Sequence, residues 1–250
     1  MIIGGLQKLT LIDYPGKIAC TVFLAGCSFR CPWCYNPELV LQEEIKTSTK
    51  ISEQDFFQFL KERPGLIEGV VLCGGEPTIQ PDLIEFCQKI KKMGFLIKLD
   101  TNGSSPEVIK ELIDKNLVDY IALDIKAPPE KYIKAIGAES YFGTKGMRSN
   151  FWAEKIVNNI KKSIELLKQG QVDYEFRTTV IPVLLKKSDI LKISKWICPA
   201  KKYFLQEFQP GKTLDPKFKN AKPYEQKYLM EILRSIEPFF EICQIRGFKS

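Results

Sequence analysis

Short runs rich in β-branched and other apolar residues alternate with helical patterns along most of this 250-residue chain. The alternation constrains the fold more than any other feature, because strands that alternate with helices form βα units and a parallel sheet. The predicted strands cover residues 18–24, 69–73, 96–100, 120–125, 174–181, 203–208 and 241–248. The predicted helices cover residues 52–63, 82–93, 153–169, 188–197 and 223–236, and a further helix begins at Pro106.

The number and order of these elements predict an α/β fold. Six βα units suit a partial (βα)6 barrel of the TIM type, because the eight units of a full barrel need more chain or shorter units. An open doubly wound sheet is the alternative. Since the chain shows no internal repeat and no low-complexity linker, we expect a single domain over residues 1–250, with a C-terminal helix and strand at about 223–248. Segment 137–150 has three glycines and predicts a mobile loop.

The chain contains no histidine. This absence excludes a Ser-His-Asp triad, a Cys-His nucleophile pair, and zinc or haem bound through histidine. Any chemistry must therefore come from cysteine, carboxylates, lysine, tyrosine or a cofactor. The eight cysteines indicate metal or redox chemistry in a cytoplasmic protein, where disulfides are rare.

The charge balance gives little support to a nucleic-acid partner. The chain has 37 Lys plus Arg against 30 Asp plus Glu, a net charge of +7. Its lysine pairs are dispersed and lack interleaved aromatic residues, a pattern typical of solvated helix faces. The longest mostly apolar stretch, residues 18–27, is far too short to span a bilayer, so we expect no membrane partner.

Three cysteines follow the first predicted strand with the spacing C-x3-C-x2-C, at Cys27, Cys31 and Cys34. Thiolates select zinc, copper(I) or iron-sulfur clusters, and the chain lacks the second cysteine pair or the histidine that a zinc ribbon needs. The spacing therefore favours an iron-sulfur cluster. Three ligands on a four-iron cluster leave one iron open, whereas a fourth ligand from Cys20 or Cys73 would make the centre an electron carrier.

Further polar and glycine residues follow the next predicted strands at the same ends. Parallel strands bring such ends to one edge, where barrels and open α/β sheets place their active sites. Two glycines allow close approach of a ligand to the backbone, and a carboxylate beside them can receive an ammonium group. The residues in question are Gly74, Gly75, Glu76, Asp100, Asn102, Asp124 and Lys126, with Arg177 and Gln209 near later strands.

These motifs resemble those of the radical S-adenosylmethionine (radical SAM) enzymes over nearly the full chain. The resemblance rests on Cys27, Cys31, Trp33 and Cys34, with support from 74–77, 100–103 and 124–126. Within that superfamily, the stretch 11–40 is similar to the activating proteins of anaerobic ribonucleotide reductase and of pyruvate formate-lyase. The nearer match is the ribonucleotide reductase branch.

The resemblance implies that Cys27, Cys31 and Cys34 hold a [4Fe-4S] cluster whose open iron is chelated by S-adenosylmethionine. Many related activators carry a cysteine-rich insert with further clusters after the first motif. Segment 137–150 has no cysteine, so we expect one cluster.

The resemblance also implies contacts to S-adenosylmethionine. Gly75 and Glu76, with Asp100, would meet the amino group. Asp124 and Lys126 would flank the ligand, with Lys126 paired to its carboxylate. Trp33 and Tyr35 would line the adenosyl pocket. The full expected set is Trp33, Tyr35, Gly74, Gly75, Glu76, Asp100, Asn102, Asp124, Lys126 and Gln209. Related activators often have histidine in place of Tyr35, and Gln209 is a candidate substitute for a late histidine found in some relatives.

The activity implied by the resemblance is that of a radical SAM oxidoreductase. Reduced flavodoxin or ferredoxin would supply an electron, S-adenosylmethionine would be cleaved, and a hydrogen atom would be removed from a glycine of a partner glycyl radical enzyme. Two alternatives stay open. One is a radical SAM enzyme that acts on another peptide, an RNA base or a small metabolite, and the other is a non-catalytic iron-sulfur electron-transfer protein.

Overall fold

The structure is a computed structural model that describes residues 1–138 and 147–247. Most of the loop predicted over 137–150, and the last residue of the strand predicted over 241–248, lie outside the described residues.

The described chain contains eight β-strands, and the six strands predicted from 18 to 208 are all present within a few residues of their expected bounds. One strand near the N-terminus was not predicted. In chain order the strands are β1 (Ile3–Thr10), β2 (Ala19–Leu24), β3 (Gly69–Gly74), β4 (Leu96–Thr101), β5 (Tyr120–Asp124), β6 (Asp173–Val180), β7 (Ala200–Glu207) and β8 (Phe240–Arg246).

Helices separate most of these strands, as the alternating pattern predicts. Those described are α1 (Gln42–Thr47), α2 (Glu53–Lys61), α3 (Leu83–Lys92), α4 (Pro106–Asp114), α5 (Tyr132–Ala135), α6 (Met147–Lys168), α7 (Lys187–Ile197) and α8 (Gln226–Ile236). Short 3-10 turns lie at Pro37–Leu39, Pro77–Ile79, Pro129–Lys131, Pro216–Phe218 and Glu237–Phe239.

Local sequence signals explain where several helices begin and end. Ser52 accepts a hydrogen bond from the Asp55 backbone N–H at 3.0 Å and so caps α2. Pro106 occupies the first turn of α4, where the missing N–H costs nothing. Gly170 lies just beyond α6 with a φ of 72°, a left-handed conformation that favours glycine.

The chain divides into two compact units. The first contains Met1–Ser28, Asn36–Ala122 and Gln171–Asp173. In it, β2, β3 and β4 are parallel neighbours, and β1 pairs antiparallel with β2. Ala19 of β2 and Val71 of β3 form an apolar cluster with Tyr14 and Tyr120. Cys73 and Leu96 pack against this cluster.

The second unit contains Phe29–Tyr35, Leu123–Gly170 and Tyr174–Ser250. In it, β6, β7 and β8 are parallel neighbours. The end of β5 is tied to β6 by a hydrogen bond of 2.8 Å from the Ile125 N–H to the Arg177 carbonyl. The single domain expected over residues 1–250 stays a prediction.

Among the residues that the structure describes, no helix is both long and apolar enough to cross a bilayer.

Candidate functional site

The glycine pair after β3 packs on the residues that follow β2. The Gly75 N–H donates to the Leu24 carbonyl and the Glu76 N–H donates to the Gly26 carbonyl, both at 2.8 Å. A β-carbon at Gly75 would lie 2.0 Å from the Gly26 carbonyl oxygen, and one at Gly74 would lie 2.3 Å from the Leu24 nitrogen. A side chain at either position would therefore clash with the protein's own backbone, so both positions require glycine. Their expected contact with a ligand stays a prediction.

Glu76 joins the turn after β3 to the turn after β4. Its carboxylate is buried, with 1% of the residue exposed. Oε1 accepts hydrogen bonds from the Thr78 backbone N–H, the Thr78 hydroxyl and the Thr101 hydroxyl at 3.1, 2.5 and 2.6 Å. Oε2 accepts one from the Asn102 backbone N–H at 2.7 Å. Burial raises the pKa of Glu76, and these hydrogen bonds oppose the rise.

Asn102 extends this network to the cysteine motif. Its Nδ2 lies 3.9 Å from the Cys27 sulfur and 3.3 Å from the Ser28 hydroxyl. Its Oδ1 accepts a hydrogen bond from the Ser104 backbone N–H at 2.9 Å, which fixes the amide orientation. The ends of β2, β3 and β4 therefore meet at one edge, as the sequence predicts for Cys27, Glu76 and Asn102.

Asp100 has a partner that sequence reasoning missed. The Lys98 ammonium donates a hydrogen bond to Asp100 Oδ1 within β4. Lys98 is only 1% exposed. The available signal was its position two residues before Asp100, because side chains two apart on a strand share a face.

The second half of the cysteine motif belongs to the second unit. The Cys34 N–H donates to the Cys31 carbonyl at 2.9 Å, which closes a tight turn. The Leu214 N–H donates to the Cys34 carbonyl at 3.0 Å, and the Asp215 N–H donates to the Pro32 carbonyl at 2.8 Å. A late segment of the chain thus holds the backbone of the motif.

Trp33, which the resemblance assigns to an adenosyl pocket, is buried at 4% exposure. Its ring centroid lies 6.4 Å from that of Phe218, with the rings tilted by 58°. The indole therefore packs within the second unit, and its expected ligand contact stays a prediction.

Asp124 forms an ion-pair triad with Lys126 and Arg177. Arg177 Nε donates to Asp124 Oδ1 at 2.8 Å, and Lys126 Nζ donates to Oδ2 at 3.0 Å. Burial alone would raise the pKa of Asp124, but the charges of Arg177 and Lys126 outweigh it and hold that pKa below its usual range. Burial alone would lower the pKa of Lys126, but the charges of Asp124 and Cys31 raise it. Lys126 thus stays cationic in the electrostatic field of Cys31.

Tyr35 and Gln209, also in the second unit, are brought together, and their expected contacts with a ligand stay a prediction. The Tyr35 hydroxyl accepts a hydrogen bond from the Gln209 backbone N–H at 2.8 Å, and its ring stacks on Phe208 at 6.0 Å. The Gln209 side-chain amide donates to Glu207 Oε2 at 3.0 Å and to the Gly247 carbonyl at 3.1 Å. Burial raises the pKa of Tyr35.

The cysteines outside the motif have environments of their own. Cys20, Cys87 and Cys243 are buried, and burial raises the pKa of each thiol to about 12. Cys73 packs beside the apolar cluster around Tyr14. The Cys198 thiol approaches the Phe239 carbonyl at 3.8 Å. Cys20 lies inside β2 and is fully buried, which argues against it as the fourth ligand of a cluster.

The comparisons with known proteins agree with these motifs. The chain is 33% identical over 246 residues to a Methanocaldococcus jannaschii protein described as a glycyl-radical enzyme activating enzyme, covering 98% of this chain and 95% of that protein. The Radical SAM superfamily model matches residues 21–196. The chain belongs to the radical SAM superfamily and, within it, to the glycyl-radical enzyme activating family. Membership in this superfamily implies a [4Fe-4S] cluster and S-adenosylmethionine as cofactors.

Two further proteins place this radical SAM chain among its relatives. The pyruvate formate-lyase-activating enzyme of Clostridium pasteurianum is 28% identical over 240 residues, which is 94% of this chain and 90% of that enzyme. The crystal structure of Streptococcus suis SuiB bound to S-adenosylmethionine matches with a TM-score of 0.60 at 9% identity, over 90% of this chain and 46% of SuiB. The predicted α/β fold, a partial barrel of radical SAM type, is confirmed.

The donor set has the chemistry that the cluster implied by the superfamily requires. None of the eight cysteines is in a disulfide, so Cys27, Cys31 and Cys34 are thiols on one short loop. Asn102 directs an amide N–H at the Cys27 sulfur, and hydrogen bonds to cysteine sulfur are among the contacts that tune iron-sulfur centres. Residues 1–138 and 147–247 contain no group of three or more cysteine, aspartate or glutamate side chains that is placed to hold a metal ion. The ligand assignment of the three cysteines therefore stays a prediction.

Proposed function

We propose that this chain activates a glycyl radical enzyme, and that the partner is anaerobic ribonucleotide reductase. The observation that carries the proposal is the hydrogen-bond network from Glu76 through Asn102 to Cys27, which joins three superfamily motifs at one edge of the first unit. The full-length relatedness to an activating enzyme supports the same reaction class.

Cys27, Cys31 and Cys34 are the proposed ligands of a single cluster. When bound, the cluster and S-adenosylmethionine supply the one-electron cleavage that yields a radical able to remove a hydrogen atom from glycine. The chain's own residues bind and orient the reactants and exclude water. This division of work needs no imidazole base, which agrees with the absence of histidine.

Lys126 is the proposed partner of the S-adenosylmethionine carboxylate. The ion pair with Asp124 holds the ammonium in place, and Arg177 on the other oxygen of Asp124 fixes that carboxylate in turn. With two cations on one carboxylate, the triad carries a net positive charge. A ligand carboxylate would balance that charge.

The amino group of S-adenosylmethionine is assigned to Gly75, Glu76 and Asp100. Glu76 is already occupied by four donors, so its main role is to fix the turns on which the other groups stand. The adenosyl group is assigned to Trp33 and Tyr35, with the Tyr35 ring held by Phe208 and by the Gln209 backbone.

Pyruvate formate-lyase is the second candidate partner. A specific observation favours it, because a pyruvate formate-lyase-activating enzyme aligns with 94% of this chain. Ribonucleotide reductase is favoured by the resemblance of the stretch 11–40. Flavodoxin or ferredoxin is the proposed electron donor, and the cytoplasm is the proposed location.

The decisive experiment incubates the anaerobically reconstituted protein with S-adenosylmethionine, reduced flavodoxin and either candidate partner from the same organism. EPR then detects a glycyl radical. Cys31→Ala and a partner whose target glycine is replaced by alanine serve as controls. A radical with the reductase alone supports the proposal, and a radical with pyruvate formate-lyase alone moves it to the second candidate.

If S-adenosylmethionine is cleaved but neither partner gains a radical, the activating function is wrong and another substrate must be sought. A cluster whose EPR spectrum is indifferent to S-adenosylmethionine would favour the electron carrier instead.

A further inference from the structure

Lys98 is a buried ammonium group to which the proposed function assigns no role. It lies in the middle of β4, between Ile97 and Leu99, both fully buried. Its side chain is 2% exposed, and Asp100 is its one partner among the described residues. An ammonium has three N–H donors, so a single carboxylate leaves part of its hydrogen-bonding capacity unused.

Stability alone does not explain a lysine at this position. Removing an ammonium from water is unfavourable, and a buried ion pair often contributes no more to stability than apolar residues of similar volume. Val71 pairs with Lys98 in the neighbouring strand β3 and belongs to the apolar cluster of the first unit. An apolar side chain would therefore suit the surroundings of Lys98, and the lysine calls for a functional reason.

The alternation of β4 supplies that reason. The chain has a polar residue at every second position from Lys98 through Asp100 to Asn102. The period of the strand places Lys98 and Asp100 on one face, and Asn102 follows just after the strand ends. Asn102 lies against Cys27, and its backbone N–H is held by Glu76. Lys98 is thus the deepest member of a polar row that ends at the cysteine motif.

The charges in this row match one incoming cation. Glu76 follows β3, Asp100 lies near the end of the neighbouring strand β4, and Lys98 is one ammonium, so the three groups carry a net charge of −1 when all are ionised. A single methionyl ammonium group balances that charge. Without Lys98 the same two carboxylates would carry −2, and Asp100 would lose the donor that holds its Oδ1 in place.

We propose that Lys98 is a positioning residue for S-adenosylmethionine: it orients the Asp100 carboxylate that receives the methionyl ammonium group. The inference rests on the proposed function, since it assumes that S-adenosylmethionine binds at this edge. It assigns Lys98 no contact with the reacting atoms. Its effect on the ligand is transmitted through Asp100.

The test measures binding and needs no turnover. The dissociation constant of S-adenosylmethionine is measured by anaerobic equilibrium dialysis for the reconstituted wild type, Lys98→Met, Asp100→Asn and the double variant. Iron content and urea unfolding are measured on the same samples. Lys92→Met, which removes an exposed lysine at the end of α3, is the matched control.

We expect Lys98→Met to weaken binding at least tenfold, with iron content unchanged and Lys92→Met indistinguishable from the wild type. Because Lys98 acts through Asp100, the double variant should bind within twofold of Asp100→Asn alone. A structural role would lower the unfolding free energy and leave the dissociation constant unchanged.

The inference is overturned if the dissociation constant of Lys98→Met is within twofold of the wild-type value. It is also overturned if the factor by which the double variant weakens binding equals the product of the two single-variant factors. Should Lys98→Met fail to fold, the comparison of Asp100→Asn with the double variant decides alone, because neither variant contains the Asp100 carboxylate. If the wild type itself binds no S-adenosylmethionine, the proposed function fails, which is a distinct outcome.

Discussion

The α-carbon of Gly75 faces the carbonyl oxygen of Gly26, so closely that an added β-carbon would lie 2.0 Å from that oxygen. Gly75→Ala must therefore push apart the turn after β3 and the start of the cysteine motif. We expect a loss of about 1–3 kcal/mol in unfolding free energy, typical of overpacking, and a loss of cluster assembly. Urea unfolding and iron analysis after reconstitution measure the two effects.

Gly94→Ala is the matched control for this prediction. Gly94 has a φ of 87°, and a β-carbon there would meet nothing within 4 Å. Alanine at this position costs about 1–2 kcal/mol through backbone conformation alone. Iron binding should be intact in Gly94→Ala, and equal iron loss in both variants would contradict the steric argument.

Glu76→Gln should be clearly destabilising although it changes only one atom. Each carboxylate oxygen accepts a hydrogen bond from a backbone N–H, that of Thr78 on Oε1 and that of Asn102 on Oε2. A glutamine amide has only one oxygen, so either orientation points an NH2 group at a backbone donor. We expect a loss of about 1–3 kcal/mol in urea unfolding. The exposed Glu43→Gln, at the start of α1, should be neutral.

Asp124→Asn should destabilise the protein in a pH-dependent way. The folded-state pKa of Asp124 lies below its usual range, so its contribution to stability is complete above the unfolded pKa of about 3.9 and is lost as the pH falls toward the folded value. At pH 7 we expect a loss on the order of 3 kcal/mol, because Lys126 and Arg177 lose their common anion. The difference between the variant and the wild type should shrink below about pH 4. A difference that grows on acidification would refute this account.

Thiol labelling separates the motif cysteines from the buried ones. The raised pKa values of about 12 keep Cys20, Cys87 and Cys243 protonated at pH 8, and burial restricts access to them. In the native apoprotein, iodoacetamide should therefore label the peptides of Cys27 and Cys34 before those three. Reconstitution with iron and sulfide should protect the motif, as read by mass spectrometry.

Labelling in guanidinium chloride provides the reference, because every cysteine should then react. Rapid native labelling of Cys20 would reopen its role as a ligand.

Hydrophobic periodicity predicted the parallel strands well, because buried strands such as β3 leave a continuous apolar run in the sequence. The same reasoning missed β1. That strand has Gly4 and Gly5 near its start and exposed Gln7 and Lys8 later, so its sequence resembles a loop. Its strand conformation comes from pairing with β2, which is a tertiary effect.

The candidate site likewise contains residues whose placement could be predicted from the sequence and residues whose roles could not. Cys27, Glu76 and Asn102 could be placed at one edge from the sequence, since each follows a parallel strand. The role of Lys98 could not, because a lysine within a strand ordinarily indicates a solvent-exposed face. The packing reason for Gly75 was also hidden, because the residue that excludes a side chain there is Gly26, far away in the sequence.

The backbone contacts of the cysteine motif also set an order of events during biosynthesis. The carbonyls of Pro32 and Cys34 accept hydrogen bonds from Asp215 and Leu214, which lie in the last fifth of the chain. The ribosome synthesises these donors long after the cysteines have emerged, so a nascent chain cannot yet hold the motif in its final shape. Iron and sulfide should therefore be inserted after translation, and truncation before 214 should yield a chain that iron-sulfur assembly factors cannot load.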